Sequence, residues 1–204
     1  MKNLLIKNSF YFITALGVIV LIYTIVYWSN MPLLQKMVGL FFSAIILHVW
    51  EETRWPGGFT EMITKKLNFT HQNPHFGEFI TGTYVILIVF VPLFFPSVVF
   101  LSLAAILLGV LEAIAHTVAI KMFDGRKYYS PGLVTAVFIL LPISIYTIVY
   151  AVENNLVPPS NWIYAILYML GSLMLAQQIV VRTSSMKYSE FLKNVKKALF
   201  TKTK

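Results

Sequence analysis

The amino-acid sequence predicts an all-α protein, a polytopic membrane bundle of about six transmembrane helices, and three observations support this. First, 58% of the 204 residues are apolar and only 12% are charged, far from the balance of a soluble globular domain. A chain of this length leaves much of its surface exposed when it folds, so lipid must solvate most of these side chains. Second, six windows meet the requirement of roughly 17–25 mostly apolar residues per crossing: residues 10–28, 32–50, 79–95, 97–120, 131–152 and 161–181. Third, the basic residues gather at alternate ends of those windows, as they do in membrane proteins.

The first window follows Lys2 and Lys7. It is too long for a signal-peptide core and no small-residue cleavage site follows, so it is expected to remain as a membrane helix. Span two starts at Pro32, where proline suits a first helical turn, and closes on His48-Val49-Trp50-Glu51-Glu52. Residues 60–67 are weakly amphipathic: Ile63 and Leu67 can face lipid while Lys65 and Lys66 meet headgroups. Pro96 separates span three from span four with almost no linker, which demands a tight antiparallel hairpin. Pro131 lies near the start of span five, and Pro158-Pro159 precede span six. Pro92 and Pro142 lie inside spans and are expected to kink them, with neighbouring helices re-satisfying the freed carbonyls. In the tail, Phe191, Leu192, Val195, Ala198 and Leu199 recur at helical spacing opposite Lys193, Lys196 and Lys197, the pattern of an interfacial amphipathic helix. The organisation is a transmembrane bundle over 1–182 and a basic amphipathic cytoplasmic tail over 183–204.

Charge sets the expected orientation. With the N-terminus inside, Lys2, Lys7, Arg54, Lys65, Lys66, Lys121, Arg126, Lys127 and the seven basic residues from Arg182 onward are cytoplasmic, and only Lys36 is outside. The positive-inside rule then predicts both termini in the cytoplasm. All four tryptophans, Trp28, Trp50, Trp55 and Trp162, fall at span ends, as an aromatic belt requires. The net charge of +8 matches anionic lipid better than nucleic acid, because the basic residues sit between and after the apolar runs. Membrane lipid is therefore an expected partner and nucleic acid is not. The absence of cysteine excludes disulfides, thiol nucleophiles, zinc ribbons and Fe–S clusters.

An ionisable side chain inside a membrane span is costly and marks a functional site by default. His48, Glu51 and Glu52 lie at i, i+3 and i+4 at the end of span two, so all three share one helix face. Glu112 and His116 repeat the i, i+4 spacing in span four, with Gly109 and Ala113 small enough on that face to admit another helix. Glu78 opens span three after His71 and His75. Depth unites them. His48 and Glu112 each lie sixteen residues past a proline that starts the span, ~24 Å deep at 1.5 Å per residue. Glu52 and His116 lie twenty residues past, or ~30 Å, and Glu78 on the return span is ~27 Å down. Gln177 reaches the same layer from span six.

Carboxylates gathered at low dielectric cannot all stay ionised without a positive partner. A divalent metal supplies one, and paired Glu and His on facing helices is how di-metal bundles are built; imidazole with carboxylate suits Zn, Fe or Mn. The expected ligands are His48, Glu52, Glu112 and His116, for one or two ions, with Glu51 and Glu78 as catalytic groups. This describes a membrane-embedded metal-dependent enzyme, hydrolase or oxidase in type, acting on a lipid or other hydrophobic molecule. Two other readings carry weight. One is a metal-free isomerase or cyclase of sterol or terpenoid type, in which Glu and His pass protons and aromatic residues such as Trp50 stabilise a carbocation. The other is a lipid- or ion-binding or transport protein without turnover, although no inverted repeat is visible. Arg54 reads as a headgroup contact or a counter-charge for Glu51, and Tyr128-Tyr129-Ser130-Pro131-Gly132 as an interfacial aromatic pair and helix start. No phosphate-cradling glycine loop, nucleophile elbow or His-Glu-x-x-His signature occurs.

The string His48-Val49-Trp50-Glu51-Glu52, followed by Arg54-Trp55-Pro56-Gly57, resembles the HXXEE family of bacterial integral membrane proteins. The likeness extends to Glu112-Ala113-Ile114-Ala115-His116 and to residues 130–136, and so covers about residues 35–145. The resemblance implies the helical membrane fold, a bacterial inner membrane location and a site at the cytoplasmic end of span two; it supplies no substrate. The family pattern commonly has Asn at position 112, so Glu112 adds a ligand or proton carrier here.

Overall fold

The computed structural model describes residues 2–68, 74–120, 128–184 and 186–200. The side chains of 2–5, 74, 199 and 200 are not described. His71, Lys121, Arg126, Lys127, Lys202 and Lys204 lie outside the described residues.

The described chain is helical throughout. In order run α1 (Lys2–Val26), α2 (Leu33–Thr53), a short α3 (Phe59–Leu67), α4 (Pro74–Val85), α5 (Val99–Ala119), α6 (Leu133–Glu153), α7 (Pro159–Thr183) and α8 (Tyr188–Phe200). Six stretches are long and apolar enough to cross a membrane: Ile6–Val26, Leu33–Thr53, His75–Phe94, Val99–Ala119, Leu133–Glu153 and Pro159–Thr183. They coincide with the six windows read from hydropathy, with ends shifted by a few residues where a helix runs on through polar side chains. The protein is a membrane helical bundle.

Both internal prolines act through the same device. A π-helical turn, Ile86–Phe90, precedes Pro92 and passes into a 3-10 turn, Val91–Phe94. A second π turn, Ala136–Leu140, precedes Pro142 within α6. Proline lacks the N–H that would close the next helical ring, and a widened turn spreads that gap over several residues. With i→i+5 spacing, Pro92 would have bonded Leu87 O; the Tyr168 hydroxyl of α7 donates to that carbonyl instead, at 3.0 Å. The turn between α4 and α5 is tight as expected, with Phe95 N–H donating to Pro92 O and Val98 N–H to Phe95 O.

Lipid offers no hydrophobic drive between helices, so close packing of small residues must hold them. Ala104, Ala105, Ala136, Ala151, Ala165 and Ser144 are all fully buried. The key approach is at Gly109 of α5, where a Cβ would collide with Ser144 Oγ and Phe41 Cε2. Ser144 also donates to Ile106 O of α5 at 2.7 Å. Helices α2 and α5 form the interior, with 61% and 50% of their membrane windows buried against 11% for α7. Chemistry carried on α2 and α5 therefore sits on the two most buried of the six candidate spans.

The two amphipathic segments pack on each other. Met62 and Leu67 of α3 meet Phe191 of α8, Ala119 at the end of α5 and Val181 at the end of α7, with Ile63 and Val195 against them. Asn194 Nδ2 donates to Leu67 O at 2.9 Å, closing the end of α3. The expectation that Ile63 and Leu67 face lipid is corrected here: Leu67 is 2% exposed, because the apolar stripe of α8 lies against it. Lys193, Lys196 and Lys197 lie along the other side of α8, and all three are exposed.

Candidate metal centre

The helix geometry of α2 carries His48 and Glu52 on one stripe, and that of α5 carries Glu112 and His116 on another. Where α2 and α5 pack, the stripes meet. His116 Nε2 lies 3.1 Å from Glu52 Oε1 and 3.7 Å from Glu112 Oε2. His48 Nε2 lies 3.8 Å from the same two oxygens. The imidazoles are edge-to-face, with ring centroids 4.8 Å apart. A tetrahedral ion with bonds of about 2.0–2.1 Å sets its ligand atoms roughly 3.4 Å apart, so these separations bracket one coordination shell. His48, Glu52 and His116 form a group whose ligand atoms all lie within 4.8 Å of one another, and among the described residues it is the group of this kind. Glu112 stands beside it, the most exposed of the four at 23%, against 2% and 1% for the two histidines.

The hydrogen bonds behind the rings fix which nitrogen faces the centre. His48 Nδ1 lies 3.1 Å from Gly132 O, which can only accept, and 3.0 Å from Thr135 Oγ1. The Thr135 hydroxyl donates its proton to Glu51 Oε2 at 2.6 Å, so it too accepts from His48. Nδ1 therefore carries hydrogen. In the same way Ser130 Oγ donates to His116 O at 2.8 Å and faces His116 Nδ1 at 3.4 Å. Both rings thus turn Nε2 inward, onto two carboxylates. An inward lone pair beside a carboxylate oxygen is repulsive unless a proton or a cation lies between them. His116 Nε2 is buried with Glu52 Oε1 3.1 Å away, a separation that suits two ligands of one ion.

The stretch of chain before α6 forms the back wall. Gly132 has φ +96°, and a Cβ there would meet the His116 ring and Glu52 Cγ, the latter at 2.9 Å. Only glycine combines that conformation with that proximity. Phe59, the first residue of α3, covers the other face of His116 at a centroid distance of 4.7 Å.

The remaining sequence-selected residues lie elsewhere. Glu51 turns to the start of α6 and accepts from Val134 N, Thr135 N, Thr135 Oγ1 and Tyr129 OH. Glu78 forms a two-pronged pair with Arg54 at 2.7 and 3.0 Å, and His75 Nδ1 lies 3.6 Å from it. Arg54 thus faces Glu78, correcting its assignment to Glu51, and this bond holds its guanidinium above the usual range. Arg54 also lies over the Phe10 ring, so the pair ties α1, α2 and α4 together. Gln177 accepts from Tyr188 rather than joining the centre. Trp50 packs on Phe10 and donates to Thr14 Oγ1 of α1; two residues from His48, it points to the opposite side of α2.

Sequence reasoning missed Gly132, Thr135, Ser130 and Phe59 as parts of the site. A signal existed: Ser130-Pro131-Gly132 starts a helix, and a helix start presents unpaired N–H groups. Those donors lie at the same end of the bundle as the acidic side chains, where a carboxylate is the natural acceptor.

No curated protein and no solved structure matches the chain. Residues 39–147 match the family described as "Protein of unknown function with HXXEE motif". That stretch spans the whole centre, from the start of the α2 face through Glu112, His116 and Gly132 to Ser144. The chain accordingly belongs to the HXXEE family.

Proposed function

We propose that this protein is a membrane-embedded, divalent-metal-dependent enzyme of hydrolytic type. Its ion is held by His48 Nε2, His116 Nε2 and Glu52 Oε1. Its substrate is a lipid or other hydrophobic molecule with a polar reacting group. The observation that carries the reading is the pair of imidazoles whose Nδ1 atoms are committed to Gly132, Thr135 and Ser130 while both Nε2 atoms face carboxylates in a buried layer. Three protein ligands with a fourth position open is the pattern of a catalytic rather than a structural site. An ion there supplies Lewis acidity and an activated water. Glu112 Oε2, 3.7 and 3.8 Å from the two Nε2 atoms, is placed to accept a proton. Its greater exposure also puts it on the side from which a substrate arrives. A single converging group among the described residues favours Lewis-acid hydrolysis over two-ion oxidation. For the cyclase reading, Trp50 faces α1 and Phe59 is the aromatic ring beside the centre.

The test is elemental analysis of protein purified in detergent without chelator, followed by turnover assays on membrane lipid extracts. Wild type is expected to hold about one ion per chain, and His48→Ala and His116→Ala to hold almost none. Product formation is expected to stop on chelation and return with Zn, Mn or Fe. A wild-type protein that takes up no ion when offered these metals overturns the reading, and turnover that survives chelation points to proton transfer instead.

A further inference from the structure

The motif that names the family contains two adjacent glutamates, and the structure gives them different surroundings. Glu52 faces both histidines. Glu51, turned by about 100° on the same helix, accepts hydrogen bonds from Tyr129 OH at 2.8 Å, Val134 N at 3.1 Å, Thr135 N at 2.8 Å and Thr135 Oγ1 at 2.6 Å. A carboxylate has about four lone-pair sites, so four donors saturate it. Glu51 has no capacity left to bind an ion, receive a substrate proton or attack anything.

What it does is act through Thr135. Two backbone N–H bonds alone would cap the start of α6. The hydroxyl contact is the shortest of the four, and the same hydroxyl oxygen lies 3.0 Å from His48 Nδ1. A hydroxyl whose proton is given to a carboxylate is a better acceptor, because hydrogen bonds in a chain polarise one another. The run from Glu51 to Thr135 to His48 is therefore a one-directional chain that favours the Nδ1–H tautomer and keeps Nε2 turned to the centre. Outer groups of this kind tune metal affinity by factors of ten or more.

We infer that Glu51 is a positioning residue of the metal centre, acting through Thr135 to orient His48 and set its tautomer, and that it is not a catalytic group. The inference rests on the metal reading for its functional meaning, but its structural core is the state of one imidazole. It also explains why the motif spaces its residues at i, i+3 and i+4: ligand, orienting acid, ligand. The segment at residues 130–136 belongs to the same device, since Gly132 O and Thr135 Oγ1 are the two acceptors of His48.

The test uses the full chain with Thr135→Val, which deletes the hydroxyl but keeps the backbone N–H that caps onto Glu51, and Thr135→Ser, which restores it. Two readouts are taken. Zn²⁺ affinity comes from competition with a chromophoric chelator, and the His48 tautomer comes from NMR of isotope-labelled histidine in metal-free protein. Thr135→Val is expected to weaken Zn²⁺ binding roughly 10- to 100-fold and to lower the Nδ1–H population of His48, which Gly132 O then holds alone, with Thr135→Ser close to wild type on both. If Thr135→Val binds Zn²⁺ as wild type does and keeps the tautomer, the relay is overturned and Glu51 only caps α6. If wild type binds no Zn²⁺ yet Thr135→Val alone lowers the Nδ1–H population, the metal reading falls while the relay stands.

Discussion

Gly132 shows how a single residue shapes the centre. Its φ of +96° and its carbonyl on His48 Nδ1 place a bare Cα directly behind His116 and Glu52. An added methyl group has to strain the backbone and displace an imidazole together. Gly132→Ala is expected to lower stability by about 2–4 kcal/mol, combining the left-handed penalty with overpacking, and to abolish metal binding. Gly58 supplies the comparison: its φ is +94°, but a Cβ added there would meet nothing within 4 Å. Gly58→Ala should therefore cost only the conformational part, about 1–2 kcal/mol, and leave the ion in place. Thermal unfolding in detergent with parallel elemental analysis separates the two. Equal effects from both substitutions would contradict the crowding argument.

Among the elements, the helices divide into those that carry the centre and those that brace it. α2 and α5 carry it; α4 braces α2 through Glu78 and Arg54. The pair is two-pronged but partly exposed, 15% and 27%, so it contributes less than a fully buried one. Glu78→Gln is expected to lower stability by about 1–2 kcal/mol while leaving metal content unchanged, measured by unfolding and elemental analysis. A loss of the ion instead would return Glu78 to the centre. The π turns before Pro92 and Pro142 belong to this scale too. Each spreads the hydrogen-bond gap left by proline over several residues, and Tyr168 donates to one of the carbonyls so freed.

For the molecule as a whole, orientation in the membrane is a prediction from charge. Fifteen of sixteen basic residues fall on one side of the six spans when the N-terminus is placed inside. The cysteine-free chain allows a direct check, because single cysteines can be introduced without background. Ser189→Cys in α8 and Leu156→Cys between α6 and α7 replace exposed residues at opposite ends of α7. In right-side-out vesicles a membrane-impermeant maleimide is expected to label Leu156→Cys at once and Ser189→Cys only after permeabilisation. The reverse pattern would invert the molecule, and labelling of both from one side would remove a span.

The number of spans, the tight hairpin at Pro96 and the shared depth of His48, Glu52, Glu112 and His116 were legible in the chain before any coordinates. These follow from local quantities: hydropathy over a window, helical rise, and the i, i+4 stripe on which each His and Glu stands. How the acids divide was not legible there and emerged with the packing of the helices. Glu51 and Glu52 are neighbours in the chain, and Glu78 shares their depth, yet one faces a helix start, one faces two imidazoles and one faces Arg54. Depth is set by position along a helix axis, whereas partnership is set by rotation about it and by which helix lies alongside. That choice depends on contacts between residues far apart in sequence, such as Gly132 behind His116 and Thr135 beside His48.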